Sequence, residues 1–350
     1  MQRKKIINTN DPILVTGASG FIGLRVVENL LDRGFKQVRC FVRPTSDEKR
    51  FSFLSNRISQ FELYKGDLLS QDDCLRATRG VKVIYHLAAG TGTKSFADAF
   101  LNTVVTTRNL LQAAVKNGCL VRFVNMSSFA VFTNIDTPRR RILDESCKVE
   151  QHPERRAEAY CFAKVKQDEL VEFYGEKDNL PFVHLRPGVV YGPGKASISG
   201  RIGIDTFGVF MHLGGNNPIP FTYVDNCAEA VVLAGLVKDI DGETINIVDD
   251  NIPTSRQFLR QYKMNVKKFR SIYIPKFLSY FFCCVWECYS KWSEYQLPNT
   301  FSRAEWTAYW KKTKYDNSIL KMKLGWEQLV PSEESMKRYF YFCRERKTSA

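Results

Sequence analysis

The sequence has no uninterrupted run of twenty apolar residues, no CxxC pair, no internal repeat, and only four histidines in 350 residues. Each absence closes off a class. Without a long apolar run, no membrane-spanning helix is expected. Without CxxC spacing, and with His86, His152, His184 and His212 at no ligand-like interval, no metal site is expected. Without a repeat, a solenoid is excluded. The ten cysteines are scattered, apart from the adjacent Cys283 and Cys284, and read as free thiols in a reducing compartment. Residues 1–10 carry Arg3, Lys4 and Lys5 but no apolar h-region or cleavage site, so the chain is expected to be unexported and cytoplasmic, at most peripheral on a membrane. Acidic residues are also in short supply. There are 37 against 51 basic ones, a net charge of +14, with clusters at Arg139-Arg140-Arg141, Lys267-Lys268 and Lys311-Lys312-Lys314. Such a field attracts anions. No nucleic-acid module accompanies it, so nucleic acid is not an expected partner; an anionic cofactor, an anionic substrate or an acidic membrane surface suffices.

What is present is an alternation of strand and helix. Residues 13–16 form a short apolar run that enters Gly17-Ala18-Ser19-Gly20-Phe21-Ile22-Gly23, and helical periodicity follows through Val26, Val27, Leu30 and Leu31 to a stop at Gly34. Strands are expected at 38–42, 61–64, 81–87, 121–126, 182–185 and 244–248. Helices are expected at about 96–116, 157–174 and 226–238. This is the pattern of an α/β fold with a Rossmann-type, doubly wound parallel sheet. Residues 10–186 would form the dinucleotide-binding domain, with 221–250 returning to it. Residues 187–220 and 251–342 would form a smaller, mostly helical substrate lobe.

Glycines at 17, 20 and 23 let backbone amides and a helix N-terminus approach a pyrophosphate, and their place between the first strand and first helix favours that use. At the end of the second strand, where an acidic residue would bond the ribose of NAD, the chain reads Phe41-Val42-Arg43-Pro44-Thr45-Ser46. Arg43 in that place suits a 2′-phosphate, which favours NADP(H) over NAD(H); the alternative is a solvated arginine. Tyr160 and Lys164 lie four apart and share a helix face. An ammonium beside a phenol favours the phenolate and brings a weak acid into the useful range. The spacing alone is also that of a surface pair.

Six segments in order carry a resemblance: residues 16–23, Gly66-Asp67-Leu68, His86-Leu87-Ala88-Ala89, Ser127-Ser128 before Val131-Phe132, Tyr160 through Lys164, and residues 186–193. Together the chain resembles an extended short-chain dehydrogenase/reductase of the NAD-dependent epimerase/dehydratase and 3β-hydroxysteroid dehydrogenase group. The resemblance implies Ser128, rather than Ser127, as the hydroxyl that orients the substrate oxygen. It implies Tyr160 as acid/base with Lys164 as its electrostatic partner and ribose contact. Gly17, Ser19, Gly20, Phe21, Ile22, Gly23, Arg43, Asp67, Leu68, Ala88, Ala89 and Pro187 would border the cofactor. His86 reads as a packed strand residue. Two departures stand out. The family's Asn-Val-x-Gly-Thr-x-Asn stretch is replaced by residues 102–109, which puts Thr103 in the asparagine's place with Asn102 one residue off. Phe132 stands where a tyrosine is common, removing one hydroxyl from the substrate's reach.

In the second lobe, Asp225 is expected to cap the helix that follows it, and Asp249-Asp250 to form a turn. Residues 315–318 and 324–326 resemble the family's closing helix and turn, as expected of an intact member. The apolar stretch 274–286 reads as core, as a lid over a greasy substrate, or as an interfacial helix. The expected activity is hydride transfer between a nicotinamide cofactor and a secondary alcohol or ketone. The substrate is an alicyclic, 3β-hydroxysteroid-like molecule or a nucleotide sugar. A dinucleotide-binding sensor without turnover is the rival reading, and a homodimer is expected only by analogy.

Overall fold

The computed structural model describes residues 5–90, 95–134, 141–156, 158–206, 208–293 and 302–348. Arg3, Lys4, Arg139 and Arg140 lie outside them. The strands in chain order are β1 (Ile13–Thr16), β2 (Val38–Val42), β3 (Phe61–Lys65), β4 (Val83–His86), β5 (Arg122–Met126), β6 (Arg141–Leu143), β7 (Phe182–Pro187), β8 (Val189–Tyr191), β9 (Gly203–Thr206), β10 (Val209–His212), β11 (Phe221–Tyr223), β12 (Thr244–Ile247), β13 (Ser271–Tyr273) and β14 (Thr313–Tyr315). The helices are α1 (Phe21–Asp32), α2 (Gln71–Ala77), α3 (Phe96–Phe100), α4 (Thr106–Asn117), α5 (Ala159–Asp178), α6 (Val224–Leu236), α7 (Ser255–Asn265), α8 (Lys276–Trp292), α9 (Arg303–Trp310), α10 (Ser318–Leu324) and α11 (Ser332–Thr348).

Seven strands pair in the order β12-β7-β5-β4-β1-β2-β3, all parallel. This is the expected doubly wound sheet. Its central strands are buried along their whole length, as helices on both faces require, so β1 and β4 read as near-continuous apolar runs, while β5 also buries Arg122 and Asn125. The periodic residues Val26, Val27, Leu30 and Leu31 of α1 face this core, and α1 packs along α6. The strand order reverses between β1 and β4, and the crevice beyond their carboxyl ends is where such sheets take a ligand.

The long helix expected at 96–116 is interrupted. Leu101–Val105 forms a π-turn between α3 and α4. A π-turn inserts one extra residue into an α-helix, and it falls where the family stretch is out of register. Thr103 Oγ1 accepts the Gly90 amide at 2.9 Å, while Asn102 Oδ1 accepts from Arg43 Nη2 at 3.1 Å. Asp225 does not cap α6 with its side chain. It stands inside the first turn and faces Arg25 Nε at 3.3 Å. Asp249 serves that end instead, its Oδ2 accepting the Tyr223 amide at 2.8 Å and Asn226 Nδ2 at 3.1 Å.

The stretch 274–286 is not core. It lies largely in α8, whose inward face is Ser279, Cys283 and Ser290, while Phe277, Phe281, Phe282, Val285, Tyr289 and Trp292 are exposed. All ten cysteines are free. Among the described residues, no helix is long and apolar enough to cross a membrane and no cluster could hold a metal ion.

Candidate active site

A cleft of about 1130 Å³ opens at the carboxyl edge of the sheet. Gly17, Gly20, Phe21, Ile22, Gly23 and Ala89 line one end of it, and Ser128, Tyr160, Lys164 and Pro187 line its middle. Residues from five separate segments of the sequence therefore share one space.

The glycine end is built for close approach. Gly17 has φ +66°, and a Cβ there would sit 2.8 Å from the Ala88 nitrogen; a Cβ on Gly23 would sit 2.1 Å from the Gly17 oxygen. Neither position tolerates a side chain without moving backbone. The N-terminus of α1 has no side-chain cap, so its first amides are left for an outside acceptor. A dinucleotide pyrophosphate fits this cradle on geometry and on charge.

Ser128 and Tyr160 meet in the cleft. Burial raises the pKa of the Tyr160 phenol, and a hydrogen bond with Ser128 opposes that rise. Ser127 is not available for this role, because its hydroxyl donates to Asp168 Oδ2 at 2.7 Å inside the core. The ammonium of Lys164 is 6.0 Å from the centre of the Tyr160 ring. It donates to the Met126 carbonyl at 2.6 Å and to Gln167 Oε1 at 2.8 Å. Burial lowers Lys164 to about 8, although Asp168 pulls the other way. In this arrangement Lys164 is held by the protein rather than aimed at the phenolic oxygen.

Lys164 is the end of a buried side-chain chain that reaches the glycine loop. Gln167 Nε2 donates to Thr107 Oγ1 at 2.9 Å, and Thr107 donates its own proton to the Thr103 carbonyl at 2.5 Å. Thr107 can then only accept from His86 Nε2, 2.8 Å away, so His86 carries its proton on Nε2. Its Nδ1 accepts from Thr16 Oγ1 at 2.8 Å, and Thr16 Oγ1 lies 3.4 Å from the Ala88 amide. Burial lowers His86 to about 3, which keeps the ring neutral. The packed, hydrogen-bonded role expected of His86 is the one the structure shows.

A second buried network lies beneath Ser128. Asp168 accepts from Asn125 Nδ2 at 2.9 Å, from Ser127 and from Arg186 Nη2 at 3.2 Å, and all four residues are buried. The Arg186 guanidinium also lies over the Phe132 ring, 5.0 Å from its centre. Phe132 is thus turned into the core against Phe129 and does not line the cleft.

Of the other sequence candidates, Ser19 and Ala88 stand in the segments that form the cradle but not on the cleft wall. Arg43 is exposed at the end of β2 and bonded to Asn102. The Asp67 carboxylate accepts the Leu69 amide at 2.9 Å and shapes its own turn. Leu68 is buried with Phe41 and Leu110. Sequence reasoning missed Gln167 and Asp168, although both are one turn beyond Lys164 on the same helix, at i+3 and i+4, where facing groups are found. It also missed the far wall, which carries Arg156, Glu158, Lys195, Arg201, Glu305 and Tyr309. Burial, with help from Glu158, pushes the Glu305 carboxyl up to about 7. These residues come from loops and from α9, where no periodicity marks a ligand wall.

Comparison with known proteins agrees with this geometry. A crystal structure of gox2253 superposes with a TM-score of 0.75 at 23% identity, covering 96% of this chain and 99% of that one. UDP-glucuronic acid 4-epimerase from Bacillus cereus, in complex with UDP-glucuronic acid and NAD, gives a TM-score of 0.70 at 21% identity over 96% and 99%. At these identities the likeness concerns the fold. Among curated sequences, a decarboxylating sterol-4-alpha-carboxylate 3-dehydrogenase of Candida albicans is 30% identical over 261 residues, covering 68% of this chain and 70% of the relative. GDP-mannose 3,5-epimerase 1 of Oryza sativa subsp. japonica is 26% identical over 258 residues, covering 69% of this chain and 65% of the relative. The chain thus spans about two thirds of the length of these relatives. The model of the NAD dependent epimerase/dehydratase family matches residues 13–247, from β1 through β12. With the uncapped glycine turn, the seven parallel strands and the Ser128, Tyr160 and Lys164 cleft inside that span, the chain belongs to the NAD-dependent epimerase/dehydratase family.

Proposed function

We propose that the protein transfers a hydride between a nicotinamide dinucleotide and a secondary alcohol or ketone. The observation that carries this is the single cleft that holds the glycine cradle at one end and Ser128 with Tyr160 beside it. Ser128 orients the substrate oxygen and Tyr160 gives or takes its proton, while Lys164 holds positive charge at the cleft floor. The nicotinamide, when bound, supplies or accepts the hydride. An alicyclic, sterol-type alcohol suits the aromatic lining of Phe129, Tyr309, Trp310 and Tyr315. The test follows absorbance of the reduced nicotinamide with NAD and with NADP against a panel of sterol-type alcohols and ketones. Dinucleotide binding without turnover on any panel would overturn the proposal in favour of a sensor.

A second reading, a nucleotide-sugar epimerase, dehydratase or reductase, is favoured by Lys195 and Arg201. Both line the far wall, and neither has a carboxylate in ion-pairing range among the described residues. Two cations without a carboxylate partner suit a diphosphate, and Arg201 is held in place by the Ala308 carbonyl at 2.7 Å and by the Tyr309 ring beneath it. For such a substrate KM is expected to rise as pH climbs through about 7, because Glu305 then ionises and adds a negative charge to the same wall. Glu305→Gln is expected to flatten that rise. An unchanged KM profile in the variant would remove Glu305 from substrate recognition.

We further propose that Arg43 selects the phosphorylated dinucleotide. No acidic residue stands in its place to receive ribose hydroxyls, and its guanidinium already reaches across to Asn102. Charged hydrogen bonds contribute about 1.5–3 kcal/mol. Arg43→Ala is therefore expected to weaken NADP(H) binding by roughly ten- to a hundred-fold and to leave NAD(H) binding within about two-fold. Equal losses for both nucleotides, measured by fluorescence titration, would show that Arg43 does not read the phosphate.

A further inference from the structure

The amphipathic pattern of α8 is inverted. A helix on a protein surface normally turns its apolar stripe inward. Here the inward stripe is small and polar: Ser279 accepts from Trp306 Nε1 at 2.9 Å, and Cys283 and Ser290 are buried beside it. The outward stripe holds Phe277 and Trp292, 76% and 78% exposed, with Phe281, Phe282, Val285 and Tyr289 between them. These residues recur at intervals that place them on one side of the helix, and the one charged side chain exposed with them is Lys291. The acidic residue of α8, Glu287, is turned away and paired with Arg303 at 2.7 Å. An exposed aromatic face of this extent marks an interaction surface.

The charge around the face identifies its partner. From Asn251 to Trp286 the chain carries seven basic residues, Arg256, Arg260, Lys263, Lys267, Lys268, Arg270 and Lys276, and no Asp or Glu. Lys267, Lys268 and Arg270 are exposed in the connection that leads through β13 into α8, and the exposed apolar side chains of Met264, Ile272 and Tyr273 lie in the same stretch. Lysines and arginines beside a helix with Trp and Phe on its free face are the features that hold a helix in the plane of a lipid interface. Each such cation gains further from anionic headgroups.

We infer that α8 and the basic segment before it dock the protein on an anionic lipid bilayer, with Phe277, Phe281, Val285 and Trp292 inserted among the headgroups. Docking there bears directly on the cleft. The α9 helix packs against α8 through Trp306 and Tyr280, whose rings are 5.0 Å apart, and its other residues Glu305, Ala308, Tyr309 and Trp310 wall the cleft. The membrane-facing helix is thus one layer from the substrate space.

The test is co-sedimentation with phosphatidylcholine vesicles, with and without a minority of phosphatidylserine, over a range of salt. The parent protein is expected to bind the anionic vesicles at least ten-fold more tightly than the neutral ones, with affinity falling as salt rises. Phe281→Glu with Trp292→Glu, and separately Lys267→Glu with Lys268→Glu, are each expected to lose at least ten-fold in binding. Dinucleotide-induced thermal stabilisation should be retained in both, which shows that they fold. No binding of the parent to anionic vesicles overturns the inference. So does a parent dimer in analytical ultracentrifugation that Phe281→Glu splits without any vesicle binding, since a second copy would then own the face.

Discussion

Replacing Tyr160 by phenylalanine is expected to lower kcat by about 10²–10⁴-fold, the usual worth of a positioned acid or base, while dinucleotide affinity changes by less than about three-fold. The asymmetry follows from where the hydroxyl points. It meets Ser128 in the cleft, whereas the cradle proposed for the dinucleotide is formed by the backbone of Gly17, Gly20 and Gly23. Ser128→Ala should act in the same direction, through loss of the group proposed to orient the substrate oxygen. Single-turnover measurement of reduced nicotinamide isolates the step. Equal rates for Tyr160→Phe and the parent would remove Tyr160 from the chemistry.

Asp168→Ala is expected to cost about 3–5 kcal/mol of folding stability, the range for breaking a buried ion pair by deleting one partner. Arg186 would be left charged inside the core, and the donors of Ser127 and Asn125 would lose their acceptor. Asp168→Asn keeps the shape and an acceptor and should cost less, roughly 1–3 kcal/mol. Urea denaturation of the three proteins distinguishes the cases. A loss below about 1 kcal/mol for the alanine variant would mean that the network does not support the fold.

Much of the fold was legible because it is written in periodicity. The strands from Ile13 to Ile247 and the stripe of Val26, Val27, Leu30 and Leu31 declare a parallel sheet with helices over it. Order also carried the site: Gly17 to Gly23, Ser128, Tyr160 and Lys164 come in one sequence, and the fold brings them to one cleft. What stayed hidden depends on contacts made across the chain. Asp168 gains its meaning only when Asn125, Ser127 and Arg186 surround it, and Gln167 only when Thr107 does. The π-turn at Leu101–Val105 is a matter of backbone register that side-chain type does not encode. The segment 274–286 is rich in Phe and Cys and reads as core, as a lid or as an interfacial helix. Its burial was decided by the alternative stripe of Ser279, Cys283 and Ser290, which satisfies α9 and leaves the rings outside.

The buried chain from Lys164 to Thr16 has a consequence for where protons travel. Hopping conduction needs every hydrogen bond in a line to point the same way, so that each hydroxyl passes on one proton as it receives another. Here Gln167 and His86 both donate toward Thr107, and Thr107 sends its own proton sideways to the Thr103 carbonyl. The line is broken at its middle by two opposed arrows, and the amide of Gln167 has no ready proton to exchange. The chain braces Lys164 against the glycine loop and conducts nothing between them. A proton exchanged at Tyr160, in the role proposed for it, therefore has no relay along this chain.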